Sequence, residues 1–155
     1  MNILNKYLGD SDRASRKYFT KCFEPWGLGG NKFIFFSAIG RYPGISQAEI
    51  CKVTMFDKAI VARAVSDIEK RGYIERKYDA ENKKTQHLYL TEKGLEISKK
   101  VSAVVLDWNT QIAQEVGMDA EELEAIAKKI SAASRKKANE LGGYDCLLDE
   151  KFDWC

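Results

Sequence analysis

The segment over residues 46–90 constrains the fold most, because two short helix patterns stand directly before two short strand patterns. Ser46-Gln47-Ala48-Glu49 is a capping box, in which the serine hydroxyl and the glutamate carboxylate satisfy amides of a first helical turn. The helix that follows is predicted to end near Val53. After a tight connection, Asp57 is a favourable N-cap for a second helix, over residues 58–71.

This second helix is predicted to bury one face. Its apolar residues recur at i, i+3, i+4 and i+7, and they are Val61, Ala64, Val65 and Ile68. Gly72 then stands where a helix C-cap glycine belongs. Residues 73–78 and 86–90 are short, rich in β-forming residues and roughly alternating. They predict a β-hairpin whose exposed tip carries Lys83 and Lys84.

Helical periodicity dominates the rest of the chain. Helices are predicted up to about residue 23, over residues 31–41, from residue 91 to about residue 116, and over residues 120–141. The fold class is therefore mostly α (α+β): a winged helix-turn-helix with a β-hairpin wing and flanking helices, in one domain over residues 1–155.

The net charge of +2 conceals an uneven distribution. Residues 1–100 carry 19 Lys/Arg and 12 Asp/Glu, residues 101–139 carry 5 and 6, and residues 140–155 carry 1 and 5. The excess of basic residues is thus in the first two-thirds, and an acidic end offsets it. This asymmetry indicates an anionic partner.

A projecting helix of this kind fits the major groove of B-DNA, where base edges are distinguishable. The face opposite the apolar stripe is predicted to meet bases or phosphates, and it consists of Lys58, Ala59, Ala62, Arg63 and Ser66. Ser46 and Gln47 start the preceding helix, whose first amides can meet a phosphate. Lys83 and Lys84 are placed to reach the minor groove or the backbone. Double-stranded DNA is the predicted partner, and a winged helix that binds only protein is the alternative.

Several segments resemble the MarR family (multiple-antibiotic-resistance regulators) of winged helix-turn-helix transcription factors. The resemblance covers about residues 31–97, and two motifs flank the wing at the family's usual separation. The resembling segments are residues 43–50, residues 57–63, residues 68–76 with Gly72-Tyr73-Ile74-Glu75-Arg76, and Leu90-Thr91-Glu92-Lys93-Gly94.

The resemblance implies a cytoplasmic homodimer that binds a pseudo-palindromic operator, with recognition helices about 34 Å apart. Such proteins usually repress a promoter until a small ligand releases them. Residues 1–30 and 95–141 would then be dimerisation helices, residues 31–94 the winged helix-turn-helix, and residues 142–155 a separate acidic C-terminal tail. Arg76, in the wing motif, joins the DNA-facing residues.

Three positions depart from the family pattern. The wing usually carries an Asp-x-Arg pair, and Asn82 and Lys84 stand in its place, so the arginine fork is lost. Ile60 and Ala62 replace threonines of the recognition helix, so two hydroxyl groups are missing. Met55 occupies a turn position where glycine is common.

An aromatic set near the seam between the dimerisation helices and the winged region is a candidate site for a small aromatic effector, as the resemblance implies. The residues of this site are Tyr18, Phe19, Phe23, Trp26 and Phe36, with Phe33 nearby. Ordinary core packing is the alternative interpretation. Cys22 is a candidate oxidant sensor, since neighbouring cations can lower a thiol pKa, and a buried inert cysteine is its alternative.

Enzyme chemistry has little support. His87 is the only histidine, no glycine-rich phosphate loop is present, and the four cysteines show no metal-ligand spacing. No metal and no cofactor is predicted. No apolar run is long enough to span a membrane and no signal-peptide pattern opens the chain, so reduced thiols in the cytoplasm are expected at Cys22, Cys51, Cys146 and Cys155.

Overall fold

The computed structural model describes residues 3–78 and 86–142. Within these residues the chain forms six α-helices and one two-stranded antiparallel sheet. The elements are α1 Ile3–Phe23, α2 Lys32–Arg41, α3 Gln47–Thr54, α4 Lys58–Lys70, β1 Ile74–Tyr78, β2 Gln86–Leu90, α5 Glu92–Val116 and α6 Ala120–Glu140. The prediction of a mostly helical winged helix-turn-helix is confirmed. Residues 79–85 and 143–155, with Asn82, Lys83, Lys84, Cys146 and Cys155, lie outside the described residues.

Among the described residues, side chains cap the start of three of the six α-helices, namely α3, α5 and α6. The Thr91 hydroxyl accepts a hydrogen bond from the Gly94 amide at 3.1 Å, and the Asp119 carboxylate accepts one from the Glu121 amide at 2.8 Å. Asp57 does occupy the N-cap position of α4 with an extended backbone, but its side chain accepts no capping hydrogen bond.

The wing is a regular hairpin in which Ile74 pairs with Leu90 and Tyr78 with Gln86. The chain just before α3 adds a third, single-residue strand to it. The Gly44 amide donates to the Leu88 carbonyl at 2.8 Å, and the Leu88 amide donates to the Ile45 carbonyl at 3.1 Å. This bridge, which no pattern in the sequence predicts, fixes the wing to the start of the helix-turn-helix.

The core lies between α2, α3, α4 and the hairpin. Its completely buried side chains include Phe35, Phe36, Ile39, Ile50, Val61, Val65, Ile68 and Leu88. Burial of each such side chain contributes about 1.5–3 kcal/mol. This packing holds α4 by one face only and leaves its opposite face to solvent.

The long helices are less covered in the single chain. Large apolar side chains of α1, α5 and α6 are exposed, and they include Ile3, Leu4, Tyr7, Leu8, Leu95, Leu106, Val116 and Ile126. α6 nevertheless contacts the helix-turn-helix, where Nη2 of the buried Arg135 donates to the Val53 carbonyl at 2.9 Å.

Candidate nucleic-acid interface

The capping box at Ser46 is formed as the sequence predicts. The Ser46 hydroxyl accepts from the Glu49 amide at 3.2 Å, and the Glu49 carboxylate accepts from the Ser46 amide at 2.8 Å. Both residues and Gln47 are half-buried. The start of α3 is therefore rigid, and its first-turn amides carry the positive end of the helix dipole.

The turn between α3 and α4 has an unusual backbone conformation at Met55. This residue has φ = 58° and lies in the left-handed region, and it is the one non-glycine residue with positive φ among residues 3–78 and 86–142. Glycine adopts this conformation at little cost, whereas a side chain raises its energy by about 1–2 kcal/mol. Met55, which replaces the glycine common in the family, thus stands at a position where the backbone conformation favours glycine.

α4 has the two faces that its sequence predicts. Val61, Ala64, Val65 and Ile68 are buried. Of the candidate DNA-facing residues of α4, Lys58, Ala59 and Arg63 are exposed, and Ala62 and Ser66 are half-buried. The structure therefore brings all five together on the outward side, and neither Lys58 nor Arg63 forms an ion pair with another described residue.

Arg76 is engaged inside the winged region. Its Nε donates to the Glu69 carboxylate at 2.9 Å and its Nη1 donates to the Gln86 side-chain oxygen at 2.7 Å. These bonds link the end of α4 to both strands of the wing. The sequence pattern predicts Arg76 at the DNA but not its two partners, because these lie 7 and 10 residues away in sequence.

The single histidine joins the wing to the loop before α3. Nδ1 of His87 lies 2.8 Å from the Gly44 carbonyl oxygen. A carbonyl only accepts, so Nδ1 carries the proton. Together with the Ile45–Leu88 bridge, this bond fixes the wing relative to α3. No pattern in the sequence pairs these two positions, which are 43 residues apart.

Four of the candidate effector residues form a chain of ring contacts, Tyr18 with Phe19, Phe19 with Phe23 and Phe23 with Trp26, whereas the Phe36 ring contacts Tyr73. Phe23 and Phe36 are completely buried, Phe19 is buried, and Tyr18 and Trp26 are half-buried against the core. Tyr18 also contacts the Trp108 ring of α5, with 4.5 Å between the ring centroids. A separate cleft of about 740 Å³ lies between α2, α5 and α6, and none of the five aromatic residues lines it. Arg41, Ser102 and Lys128 are among its lining residues.

Two cysteines lie in the described region, and both are free and half-buried. A hydrogen bond with the Cys22 thiol raises the pKa of Tyr18 above its ordinary value. Burial raises the pKa of the Cys51 thiol, which packs beside the helix-turn-helix core. Cys51 is therefore held in the less reactive, protonated form.

Over residues 3–78 and 86–142, no group of three or more His, Cys, Asp or Glu side chains is arranged to hold a metal ion. None of the helices in these same ranges is both long and apolar enough to cross a membrane.

Comparisons with known proteins find transcription regulators of similar sequence and fold. The model described as "MarR family" matches residues 26–84. The uncharacterized HTH-type transcriptional regulator YybA of Bacillus subtilis (strain 168) is 29% identical over 130 residues, which cover 82% of this chain and 83% of the relative. The crystal structure of the transcriptional regulator SlyA superposes with a TM-score of 0.78 at 27% identity, covering 90% of this chain and 96% of that one.

A further structure has the same fold. It is a MarR family transcriptional regulator from Listeria monocytogenes, crystallised with 26mer DNA. It superposes with a TM-score of 0.81 at 23% identity, and the match covers 90% of this chain and 92% of that one.

Proposed function

The chain belongs to the MarR family of transcription regulators, and we propose that it binds double-stranded DNA as a homodimer through α4 and the wing. The outward face of α4 carries this proposal. It presents two cations, Lys58 and Arg63, beside the small side chains of Ala59 and Ala62, so the helix can approach base edges closely. The DNA complex of the Listeria protein, which has the same fold, supports this assignment. A cytoplasmic location is part of the same proposal.

Sites selected from a random DNA pool would give the operator and its half-site spacing. Substitution of Arg63 tests whether α4 is the recognition helix. We expect Arg63→Ala to weaken operator binding about tenfold to a hundredfold, because one good base contact contributes about 1–3 kcal/mol. Fluorescence anisotropy measures this. Lys70→Ala, which removes an exposed cation from the far end of the same helix, is the matched control and should change affinity little. Equal losses in both variants would contradict the assignment of the recognition face.

Homodimerisation is supported by the exposed apolar side chains of α1, α5 and α6. A second copy that covers these helices would remove that surface from water and place two recognition helices on one side. Light scattering should give a dimer mass. Leu106→Glu, at a strongly exposed apolar position, should yield monomers, whereas Gln111→Glu on the same helix should remain dimeric.

Release by a small ligand is proposed as the mode of control, with repression as the default state. The aromatic residues Tyr18, Phe19, Phe23, Trp26 and Phe36 remain the predicted effector site. Titration of the operator complex with benzoate as a probe tests it. We expect benzoate to release the wild-type chain from DNA, and we expect less release from the Tyr18→Leu variant. Equal release from both chains would show that Tyr18 is not part of the site.

A thiol switch at Cys22 is a second candidate, favoured by its hydrogen bond with Tyr18. Oxidation of the thiol would break this contact beside Trp108. Peroxide should then release DNA from the wild-type chain but not from Cys22→Ser. The same release from both chains would exclude Cys22 as the sensor.

A protein-binding module is the remaining alternative. Affinity for random duplex DNA at about 50 mM salt distinguishes a DNA-binding regulator from a protein-binding module, because non-specific electrostatic binding to DNA is strong at this salt concentration. No binding under these conditions would favour the protein-binding role.

A further inference from the structure

The C-terminal half of α6 contacts the helix-turn-helix. Arg135 is only 8% exposed, and its guanidinium donates to the carbonyl of Val53 across 82 positions of sequence. Val53 lies in the last turn of α3, two residues before Met55. The C-terminal half of α6 therefore contacts the last turn of α3, which leads through Met55 into α4.

A patch of mixed character begins at this turn, and we name it the turn patch. It consists of Met55, Lys58, Ile60 and Arg63. Met55 is 50% exposed and Ile60 is 40% exposed, while Lys58 and Arg63 are exposed cations with no ion pair to another described residue. Ile60 and Arg63 are three residues apart on α4 and share a face, whereas Lys58 lies two residues before Ile60 and on another side, so the patch surrounds the first two turns of the helix. Exposed apolar side chains beside such cations fit a partner that carries both apolar and acidic side chains.

Residues 143–155 have this composition. They contain four acidic residues, Asp145, Asp149, Glu150 and Asp153, and one basic residue, Lys151. Large apolar side chains are interspersed with the acidic residues, and they are Leu147, Leu148, Phe152 and Trp154. Thirteen residues span up to about 43 Å when extended. The whole of α4 is about 20 Å long, so the segment is long enough to cover the turn patch.

We propose that residues 143–155 dock on the turn patch of the same chain and compete there with DNA. The proposal rests on the DNA-binding function proposed above. Lys58 and Arg63 serve both ligands, so the acidic segment and a DNA phosphate exclude each other. A tethered segment has an effective concentration of about millimolar, and weak docking is therefore sufficient to lower DNA affinity severalfold.

Neutral substitutions in the full-length chain test the competition. Asp149→Asn with Glu150→Gln should raise affinity for a random duplex about fivefold at about 50 mM salt. Glu121→Gln with Glu122→Gln is the charge-matched control. It removes the same charge at the opposite end of α6, about 30 Å away, where screening makes its effect small. Wild-type affinity in the tail variant, or equal gains in both variants, would overturn the proposal.

Cross-linking tests docking without any DNA. Ile60→Cys is placed in a Cys22→Ser, Cys51→Ser background, so that its partners are Cys146 and Cys155. Mild oxidation with oxidised glutathione should form an intrachain disulfide, which peptide mass mapping of the monomeric band identifies. Lys70→Cys, about 15 Å further along α4, is the control and should react at least fivefold more slowly.

The two proposals fail in different ways. A wild-type chain that binds no duplex DNA at low salt overturns the DNA-binding function, and the cross-link rates still decide docking. Equal cross-link rates at residues 60 and 70 overturn docking on the turn patch even if the chain binds DNA.

Discussion

A methyl group on Gly94 would overlap the main-chain carbonyl oxygen of Tyr73. The same carbonyl accepts a hydrogen bond from the Thr91 amide at 3.0 Å, and the Thr91 hydroxyl donates to the Gly72 carbonyl at 2.6 Å. The end of the wing, the start of α5 and the end of α4 therefore meet at one tightly packed point. The Leu-Thr-Glu-Lys-Gly segment ends in glycine because no other residue fits against this carbonyl.

Gly94→Ala should lower the free energy of unfolding by about 1–3 kcal/mol, since the added methyl group meets backbone that cannot move aside. Alanine normally stabilises a helix relative to glycine by about 1 kcal/mol, so the sign is reversed here. Urea denaturation measures the change. Gly9→Ala in α1, where the new methyl group meets only the Arg13 side chain, should stabilise. Stabilisation by both substitutions would contradict the close contact.

Met55→Gly should raise the free energy of unfolding by about 0.5–1 kcal/mol. The substitution relieves the left-handed backbone strain, although glycine loses more freedom on folding. Met55→Ile is the opposing control, and it should destabilise because a β-branched side chain fits a positive φ poorly. Thermal unfolding of the three chains should rank them Gly, Met, Ile. A Met55→Gly chain less stable than wild type would show that packing of the side chain outweighs the strain.

Arg135→Met should destabilise the chain by about 1.5–3 kcal/mol. It removes a charged hydrogen bond and leaves the Val53 carbonyl without this donor inside the protein. The neighbouring Lys136 is exposed, so Lys136→Met should change stability by less than about 0.5 kcal/mol. Chemical denaturation that finds equal effects would mean that the contact between α6 and α3 contributes nothing.

Cys51 should react severalfold more slowly with iodoacetamide in the native chain at pH 8 than in the urea-unfolded chain. Burial raises its pKa, so less thiolate is present at that pH. Because the shift is upward, the native rate should continue to rise above pH 9, where the unfolded thiol approaches its plateau. Mass mapping of the Cys51 peptide measures both rates. Equal rates in the two states would contradict the buried environment.

Local patterns in the sequence predict the elements well. The capping box at Ser46, the stripe from Val61 to Ile68 and the glycine at position 72 each act over one or two helical turns, so nearby residues decide them. The outward face of α4 follows from the same periodicity. Composition alone also reveals the acidic segment that follows α6.

The contacts that connect these elements cannot be predicted from local sequence patterns. Arg76 with Glu69 and Gln86, His87 with Gly44, and Arg135 with Val53 join residues separated by between 7 and 82 positions. No periodic pattern encodes such pairs, because they depend on how the elements pack in three dimensions. Local sequence patterns are therefore sufficient to predict the helices, the hairpin and the outward face of α4. The contacts by which Arg76 braces the wing and Arg135 joins α6 to α3 depend on long-range packing, so they appear only in the folded chain.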